Sequence, residues 1–241
     1  MTNVKNYIIV IPIFNEEKRI EKSILELENF ICQELKEYPI KIIIADSKST
    51  DKTIEIVKKL EKKFNNLRLK ETKEKGKGKG FQLKKTFSEE KADFFIQMDI
   101  DLATPLKYTK ELIFWLEKGY DIVIGSRFEK ESKTKRSLHR KILGKSYSFL
   151  VRLLFKTSIM DYQCGFKGFN AEKIKLILPE TEDNKWFFDT ELILRGLKRG
   201  FKIKEIPVEW NEKTGSKLNI LKDGFSMFLS LLKLKFRTTK K

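Results

Sequence analysis

The feature that most constrains this chain is a rhythm in its first half. Short, almost uninterrupted apolar runs alternate with stretches of helical spacing. The runs are Tyr7-Ile-Ile-Val-Ile11, residues 40–45, a weaker one at 67–69, residues 93–98 and residues 120–125. Runs this short and this apolar suit strands covered on both faces, as in parallel sheets. Between them, helices are predicted over 16–35, with Ile20, Ile24, Leu27 and Ile31 on one face, and over 51–64, with Ile54, Val57 and Leu60. Further helices are predicted from near Gly80 and over 106–118. Strand–helix units with short connections predict an α/β fold with a doubly wound, mostly parallel sheet flanked by helices.

The second half is less regular. It predicts a basic, apolar helix over 137–155, strands over 164–169 and 203–210, and a helix over 188–199 between those strands. At the end, Leu221, Phe225, Phe228, Leu232 and Phe236 recur at spacings of three and four, while Lys222, Asp223, Lys233 and Arg237 lie off that stripe. The expected organisation is one domain over 1–217 and an amphipathic helix with a basic tail over 218–241.

Composition narrows the function classes. The 51 basic residues against 34 acidic ones give +17, which suits a polyanionic partner and equally suits simple solubility. Cys32 and Cys164 are far apart and His139 is the only histidine, so a zinc site and a Ser-His-Asp hydrolase are not expected. There is no basic-then-apolar leader, and no apolar run approaches the roughly 20 residues that span a bilayer. Any membrane contact is therefore expected to be peripheral, from a reducing, cytoplasmic side. Most aromatics sit inside apolar runs and no recognised nucleic-acid motif is present, so a nucleic-acid partner is not expected. No motif sets an oligomeric state.

Parallel sheets bind ligands beyond the carboxyl ends of their strands. The residues directly after each apolar run are therefore the candidates: Pro12-Ile-Phe-Asn-Glu16, Asp46 to Asp51, the loop Gly76-Lys-Gly-Lys-Gly80, Asp99-Ile-Asp101 and Gly125-Ser-Arg127. In extended backbone Asp99 and Asp101 point to one side, and two adjacent carboxylates call for a cation. A hard divalent ion, Mg²⁺ or Mn²⁺, accepts such oxygens and leaves positions for phosphate; the alternative is that Asp101 caps the helix near Pro105. Gly78 and Lys79 belong to a loop that offers amides and lysines to phosphate, or is a lysine-rich turn without the P-loop spacing. Arg127 and Arg140 are phosphate grips or ordinary surface arginines. Asp46 is a hydrogen-bond acceptor for a base or ribose, or a cap.

The ordered segments VIPIFNEEKRI, DSKSTDKT, KGKG, MDIDLATP, GSRF, DYQCGFKGF, WFFDTELILRG and EIPVEWNEKTGSK resemble glycosyltransferase family 2, with the Rossmann-like GT-A fold. The similarity is greatest to its dolichyl-phosphate β-glucosyltransferase and dolichol-phosphate mannose synthase branch, and it covers nearly the whole chain. The resemblance implies that Pro12, Phe14, Asn15 and Glu16 shape the base pocket and that Asp46 contacts base or ribose. It implies that Asp99, Ile100 and Asp101 meet the diphosphate and its metal, that Arg127 and Arg140 lie near the phosphates, and that Lys217 closes over the nucleotide-sugar. Asp161, Gln163, Asp189 and Glu191 fall where sugar and acceptor are expected, with Asp189 orienting sugar hydroxyls or acting as a base. Three positions depart from the family pattern: Ser47 replaces a second aspartate, Lys48 replaces a glycine, and Ala103 stands where mannose synthases often carry glutamine.

The activity so implied is inverting transfer of a hexose, glucose from UDP-glucose, to a polyprenyl or dolichyl phosphate at a membrane surface. Its alternatives are transfer of mannose from GDP-mannose and transfer to a sugar hydroxyl. A phosphate acceptor is already ionised, so the main task is to stabilise the departing diphosphate, for which Asp99, Asp101 and Arg127 are the expected machinery. The basic, apolar helices of the second half suit an anionic membrane interface, or core packing in the case of 146–155.

Overall fold

The computed structural model describes residues 4–72, 78–213 and 220–239. Seven strands form the main sheet: β1 (Tyr7–Ile13), β2 (Ile40–Asp46), β3 (Leu67–Glu71), β4 (Phe94–Gln97), β5 (Ile122–Ser126), β7 (Lys167–Asn170) and β8 (Ile203–Pro207). Their order is β3-β2-β1-β4-β7-β5-β8. All neighbours are parallel except β7, which runs antiparallel to both β4 and β5. A second, two-stranded sheet pairs β6 (Lys133–Lys135) with β9 (Glu209–Asn211).

Successive side chains of β1 feed opposite cores, as a strand's period of two requires. Tyr7, Ile9, Ile11 and Ile13 meet α1 (Ile20–Glu34), α2 (Thr53–Lys63) and α4 (Tyr108–Glu117). Ile8 and Val10 join the core built by α3 (Lys79–Glu89), α6 (Ala171–Ile177) and α7 (Phe188–Lys198). The expected faces of α1 and α2 are the buried ones: Ile20, Ile24, Leu27 and Ile31 in the first, Val57 and Leu60 in the second. The first helix begins at Ile20 rather than residue 16, because Asn15 adopts a left-handed φ of 52° and the chain turns before it can coil.

The expected strand over 203–210 is two strands, β8 in the main sheet and β9 in the small one. The expected strand over 164–169 begins only at Lys167. Residues 161–166 are instead a loop drawn around the Asp161 carboxylate, which accepts the amides of Gln163 and Cys164.

Two long helices complete the second half, α5 (Leu138–Phe155) and α8 (Ile220–Thr239). The last helix does not pack with the stripe its spacing suggested. Met227, Leu231 and Leu234 are the residues it buries in the core, whereas Phe225, Phe228 and Phe236 stay exposed. It thus carries apolar side chains on two sides. Helix α5 buries Val151 while Leu138, Ile142, Leu143, Phe149 and Leu153 face outward. Among the described residues no helix is long and apolar enough to cross a membrane.

Candidate active site

Strand order 3-2-1-4 makes the chain leave β1 in one direction and return on its other side at β4. The loops after β1 and β4 therefore part at one point of the carboxyl edge, the usual ligand position of such sheets. Antiparallel β7 adds a second device. A strand that runs backwards starts where its parallel neighbours finish, so Lys167 lies in register with Gln97 of β4 and Ile124 of β5. This brings the loop before β7 against the loops that follow β4 and β5.

Asp99 and Asp101 sit at this edge, with Met98, Gly165, Phe166 and Trp210 lining the same cleft. The Lys79 ammonium, at the start of α3, bonds Asp99 at 2.7 Å. Burial works against the charge on Lys79, yet Asp99 and Asp189 together raise its pKa. Burial, then the neighbouring Asp99 charge, pushes Asp101 above the ordinary carboxylate range. One Asp101 oxygen accepts the Ala103 amide at 3.1 Å, a local turn bond; the capping alternative does not hold, since α4 starts at Tyr108 with no side-chain cap. A hydrogen-to-methyl change at Gly165 would place a carbon 1.8 Å from an Asp99 oxygen. Only glycine there leaves the carboxylate its place. Two hard oxygen donors, one 45% exposed in its side chain, suit a divalent cation completed by phosphate oxygens. Among the described residues no group of three or more acidic, histidine or cysteine side chains could hold a metal by itself.

The loops after β1 and β2 are laced together. The Asn15 amide donates to Ser49 Oγ at 2.8 Å, its side-chain oxygen accepts the Thr50 amide at 2.7 Å, and the Glu16 amide donates to Thr53 Oγ1 at 2.7 Å. The Glu16 carboxylate meets Arg19 at 2.9 Å. Asp46 is fully buried and accepts both the amide and the hydroxyl of Ser49, at 2.9 and 2.5 Å, which makes it a turn-former. At the start of α2 it is Asp51, not Asp46, that accepts the Thr53 amide. Lys48, standing where the family pattern has glycine, has a φ of 67°. Pro12 is half-buried in β1, Ile100 is buried, and Phe14 is 43% exposed.

Gly78 and Gly80 of the lysine-rich loop serve packing. A methyl group at Gly80 would fall 2.5 Å from Phe188 Cβ, and one at Gly78 would fall 3.2 Å from the Asn184 carbonyl. Residues 73–77 and Lys217 lie outside the described residues.

Four acids of the second half, Asp161, Asp189, Glu191 and Glu212, come with a cation. Asp161 is buried and takes Arg127 through Nε at 2.7 Å and a second nitrogen at 2.9 Å, as well as its amide. Burial opposes the Asp161 charge, but Arg127 holds its carboxyl below the usual range. Asp189 accepts Lys167 Nζ at 2.7 Å and Gln97 at 2.9 Å. Burial again opposes its charge, while Lys167 and Lys79 hold its pKa down. Glu191 accepts the amides of Glu182 and Asp183 and a two-pronged contact from Arg195. Arg140 pairs with Glu212 at 3.0 Å, and Gln163 reaches α8 at Met227.

The structure thus gathers Asp99, Asp101, Lys79, Arg127, Asp161 and Asp189 at one edge. It puts Asp189 behind the Lys79–Asp99 pair and commits Glu191 to the 182–183 backbone. Neither the buried Lys167 nor Gln97, Gly165 and Trp210 stood out in the sequence. A lysine in the middle of CGFKGF was the one signal available.

A mostly parallel sheet with one reversed strand and paired aspartates at its carboxyl edge is the GT-A architecture of glycosyltransferases. Residues 8–178 match the model "Glycosyl transferase family 2", and the chain belongs to that family. Its relatives include glycosyltransferase AglD of Haloferax volcanii, 30% identical over 96% of this chain and 37% of that protein. Dolichyl-phosphate beta-glucosyltransferase ALG5A of Trichomonas vaginalis is 34% identical over 88% of this chain and 68% of its own length. The human dolichyl-phosphate beta-glucosyltransferase is 30% identical over 97% and 76%. The chain therefore spans little more than a third of AglD and about two thirds and three quarters of the other two. Among solved structures, glucosyl-3-phosphoglycerate synthase of Mycobacterium tuberculosis with Mn²⁺ and UDP-glucose aligns at a TM-score of 0.67. It is 16% identical, over 94% of this chain and 79% of that one, which is a likeness of fold.

Proposed function

We propose that this protein transfers glucose from UDP-glucose to a polyprenyl or dolichyl phosphate, with inversion, at a membrane surface. The observation that carries this reading is the match to enzymes named dolichyl-phosphate beta-glucosyltransferase along nearly the whole chain. The chemistry of the sheet edge agrees with it. A phosphate oxygen needs no strong base to attack the anomeric carbon, and Asp189, buried and paired, is badly placed to be one. What the reaction needs is cationic support for a departing diphosphate.

Mg²⁺ or Mn²⁺ held by Asp99 and Asp101 would supply part of that charge. Lys79 provides another part from within the chain, since it already lies on Asp99. Arg127, oriented by Asp161, adds its field to the same cleft; Phe14, Asn15 and Glu16 frame the base, with Pro12, Ile100 and the Asp46 turn behind them. Gln163 borders the acceptor side. Lys217 is assigned to closure over the donor.

The outward-facing apolar residues of α5 and α8 are the surface we assign to the membrane, on its cytoplasmic face. Residues 1–217 would then be the catalytic body and 218–241 the attachment, docked on it through Met227, Leu231 and Leu234. The test is incubation with UDP-glucose, UDP-galactose or GDP-mannose, Mn²⁺ and vesicles containing a polyprenyl phosphate, with glycolipid read by mass spectrometry. Glucosyl phosphoryl lipid formed from UDP-glucose supports the reading. Product only from GDP-mannose, or only on soluble sugar acceptors, contradicts it.

A further inference from the structure

Behind the paired aspartates lies an ion pair to which the proposed reaction gives no part. Lys167 is fully buried and Asp189 nearly so, with Nζ and Oδ1 2.7 Å apart. Burying such a pair stabilises a fold little more than apolar side chains of the same size would. Its value therefore lies in what it does to its neighbours. The reversed strand sets its place: Lys167 stands in register with Gln97, which donates to the same Asp189 oxygen at 2.9 Å. Lys167 also donates to the Cys164 carbonyl, one residue before the glycine that faces Asp99.

Lys79 stands on the other side. Its ammonium bonds Asp99 at 2.7 Å, and after burial and Asp99 it is the charge of Asp189 that acts on it. Two lysines and two aspartates thus alternate, Asp99, Lys79, Asp189, Lys167, with Lys79 between two acids. While Lys167 neutralises Asp189, each acid has a lysine and Lys79 stays on Asp99. Without that charge Asp189 would be a buried carboxylate in want of a cation. It is the costlier of the two to leave bare, since its side chain is 6% exposed and that of Asp99 45% exposed. Lys79 would turn to it. The choice matters because an ammonium and a divalent cation compete for the same carboxylate oxygens. A diphosphate carries more charge than one carboxylate and can take the lysine over.

We propose that Lys167 is a positioning residue: by neutralising Asp189 it keeps Lys79 on Asp99, so that Asp99 is released to a divalent cation only when a diphosphate draws Lys79 away. This rests on the reading of Asp99 and Asp101 as the metal's acids. The test uses the full chain, with Mn²⁺ uptake followed by electron paramagnetic resonance and metal-free UDP binding by calorimetry. In Lys167→Met, Asp189 claims Lys79. The dissociation constant for Mn²⁺ alone should then fall about tenfold or more, while that for UDP alone rises. A site that is merely loosened loses both ligands, so the opposite signs separate positioning from damage. Lys167→Met combined with Asp189→Asn removes the competing charge and should restore the need for UDP.

Should Lys167→Met fail to fold, Lys167→Gln keeps an amide donor, drops the charge and should show the same two shifts. Lys79→Met, with Lys167 intact, should also take up Mn²⁺ without UDP; if it still requires UDP, the proposal falls whatever the other variants do. Mn²⁺ affinity unchanged or weakened in a folded Lys167 variant overturns it too, as does a double variant that does not regain UDP dependence. In those cases a wild type that binds Mn²⁺ together with UDP leaves the metal reading standing. A wild type that takes up no Mn²⁺ even with UDP removes the metal reading, and this proposal with it.

Discussion

Along the amino-terminal half of the sheet edge, Asp99 pairs with Lys79, and Asp101 lies in the fields of Arg19 and Lys79. Along the carboxy-terminal half, Asp161, Asp189, Glu191 and Glu212 each bond a basic partner of their own. The acids differ little in chemistry; their partners differ. A buried carboxylate matched to a guanidinium or ammonium is neutralised before any ligand arrives and works as scaffold. A carboxylate pair short of positive charge, with burial and its neighbour pushing Asp101 upward, is a place for a cation to be added.

The largest effect should come from breaking a matched pair. Asp161→Ala leaves Arg127 buried without its partner and should cost about 3–5 kcal/mol of stability in chemical denaturation. Replacing both residues by apolar ones of similar size, Arg127→Met with Asp161→Leu, should recover much of that loss while activity stays low. A small loss in Asp161→Ala would erase the distinction between the two halves.

Gly165→Ala comes next. Its new methyl group must displace the Asp99 carboxylate, so turnover should fall about a hundredfold, the scale of a misplacement of about 1 Å at a reacting centre. The melting temperature should shift by a few degrees at most. Wild-type activity in that variant would mean Asp99 can move freely, against the picture of a fixed pair.

A third comparison uses pH. Asp161 has a folded pKa below its unfolded value near 3.9, so its contribution is complete above that value and is lost as pH falls through the folded one. Glu28 and Glu205, pushed up by burial, contribute with the opposite sign. The informative quantity is therefore the difference between wild type and Asp161→Asn. That difference should be constant above about pH 5 and shrink below about pH 4. A gap that persists unchanged into strong acid would show that the charge of Asp161 is not what matters.

The smallest effect on the fold is expected at the outward stripe of α5. Phe149→Ser with Leu153→Ser removes side chains that are 65% and 64% exposed, so stability should move by no more than about 0.5 kcal/mol each. Sedimentation with anionic vesicles should nevertheless drop several-fold. Unchanged vesicle binding would take α5 out of the membrane surface.

The amino-terminal half was readable because its chemistry is local. Each apolar run ends in the polar residues that matter. Yet β4 stops at Gln97, and a turn closed by the Leu102 amide on the Asp99 carbonyl, not the expected extended backbone, carries Asp99 and Asp101. The carboxy-terminal half was not, because apart from Glu191 and Arg195, four residues apart on α7, its partners lie 22 or more residues from one another. Nothing near Arg127 points to Asp161, and nothing near Lys167 points to Asp189. The reversal of β7 that makes Gly165 a neighbour of Asp99 leaves no periodic trace in a four-residue strand. In α8 the apolar residues exceed what one face needs, so spacing alone could not tell the stripe of Met227, Leu231 and Leu234 that packs from the phenylalanines that do not. Asp46 was legible as important and not as buried, since a turn-former and a ribose ligand look alike from sequence.

The central claim is that the unmatched pair takes up a divalent cation together with the donor's diphosphate. It is tested most directly by titrating Mn²⁺ into the protein with and without UDP and following free Mn²⁺ by electron paramagnetic resonance. The account predicts one tightly held Mn²⁺ per chain only when UDP is present, abolished by Asp101→Ala in a protein that melts like the wild type. Equal Mn²⁺ uptake by wild type and Asp101→Ala, or uptake indifferent to UDP, would contradict it.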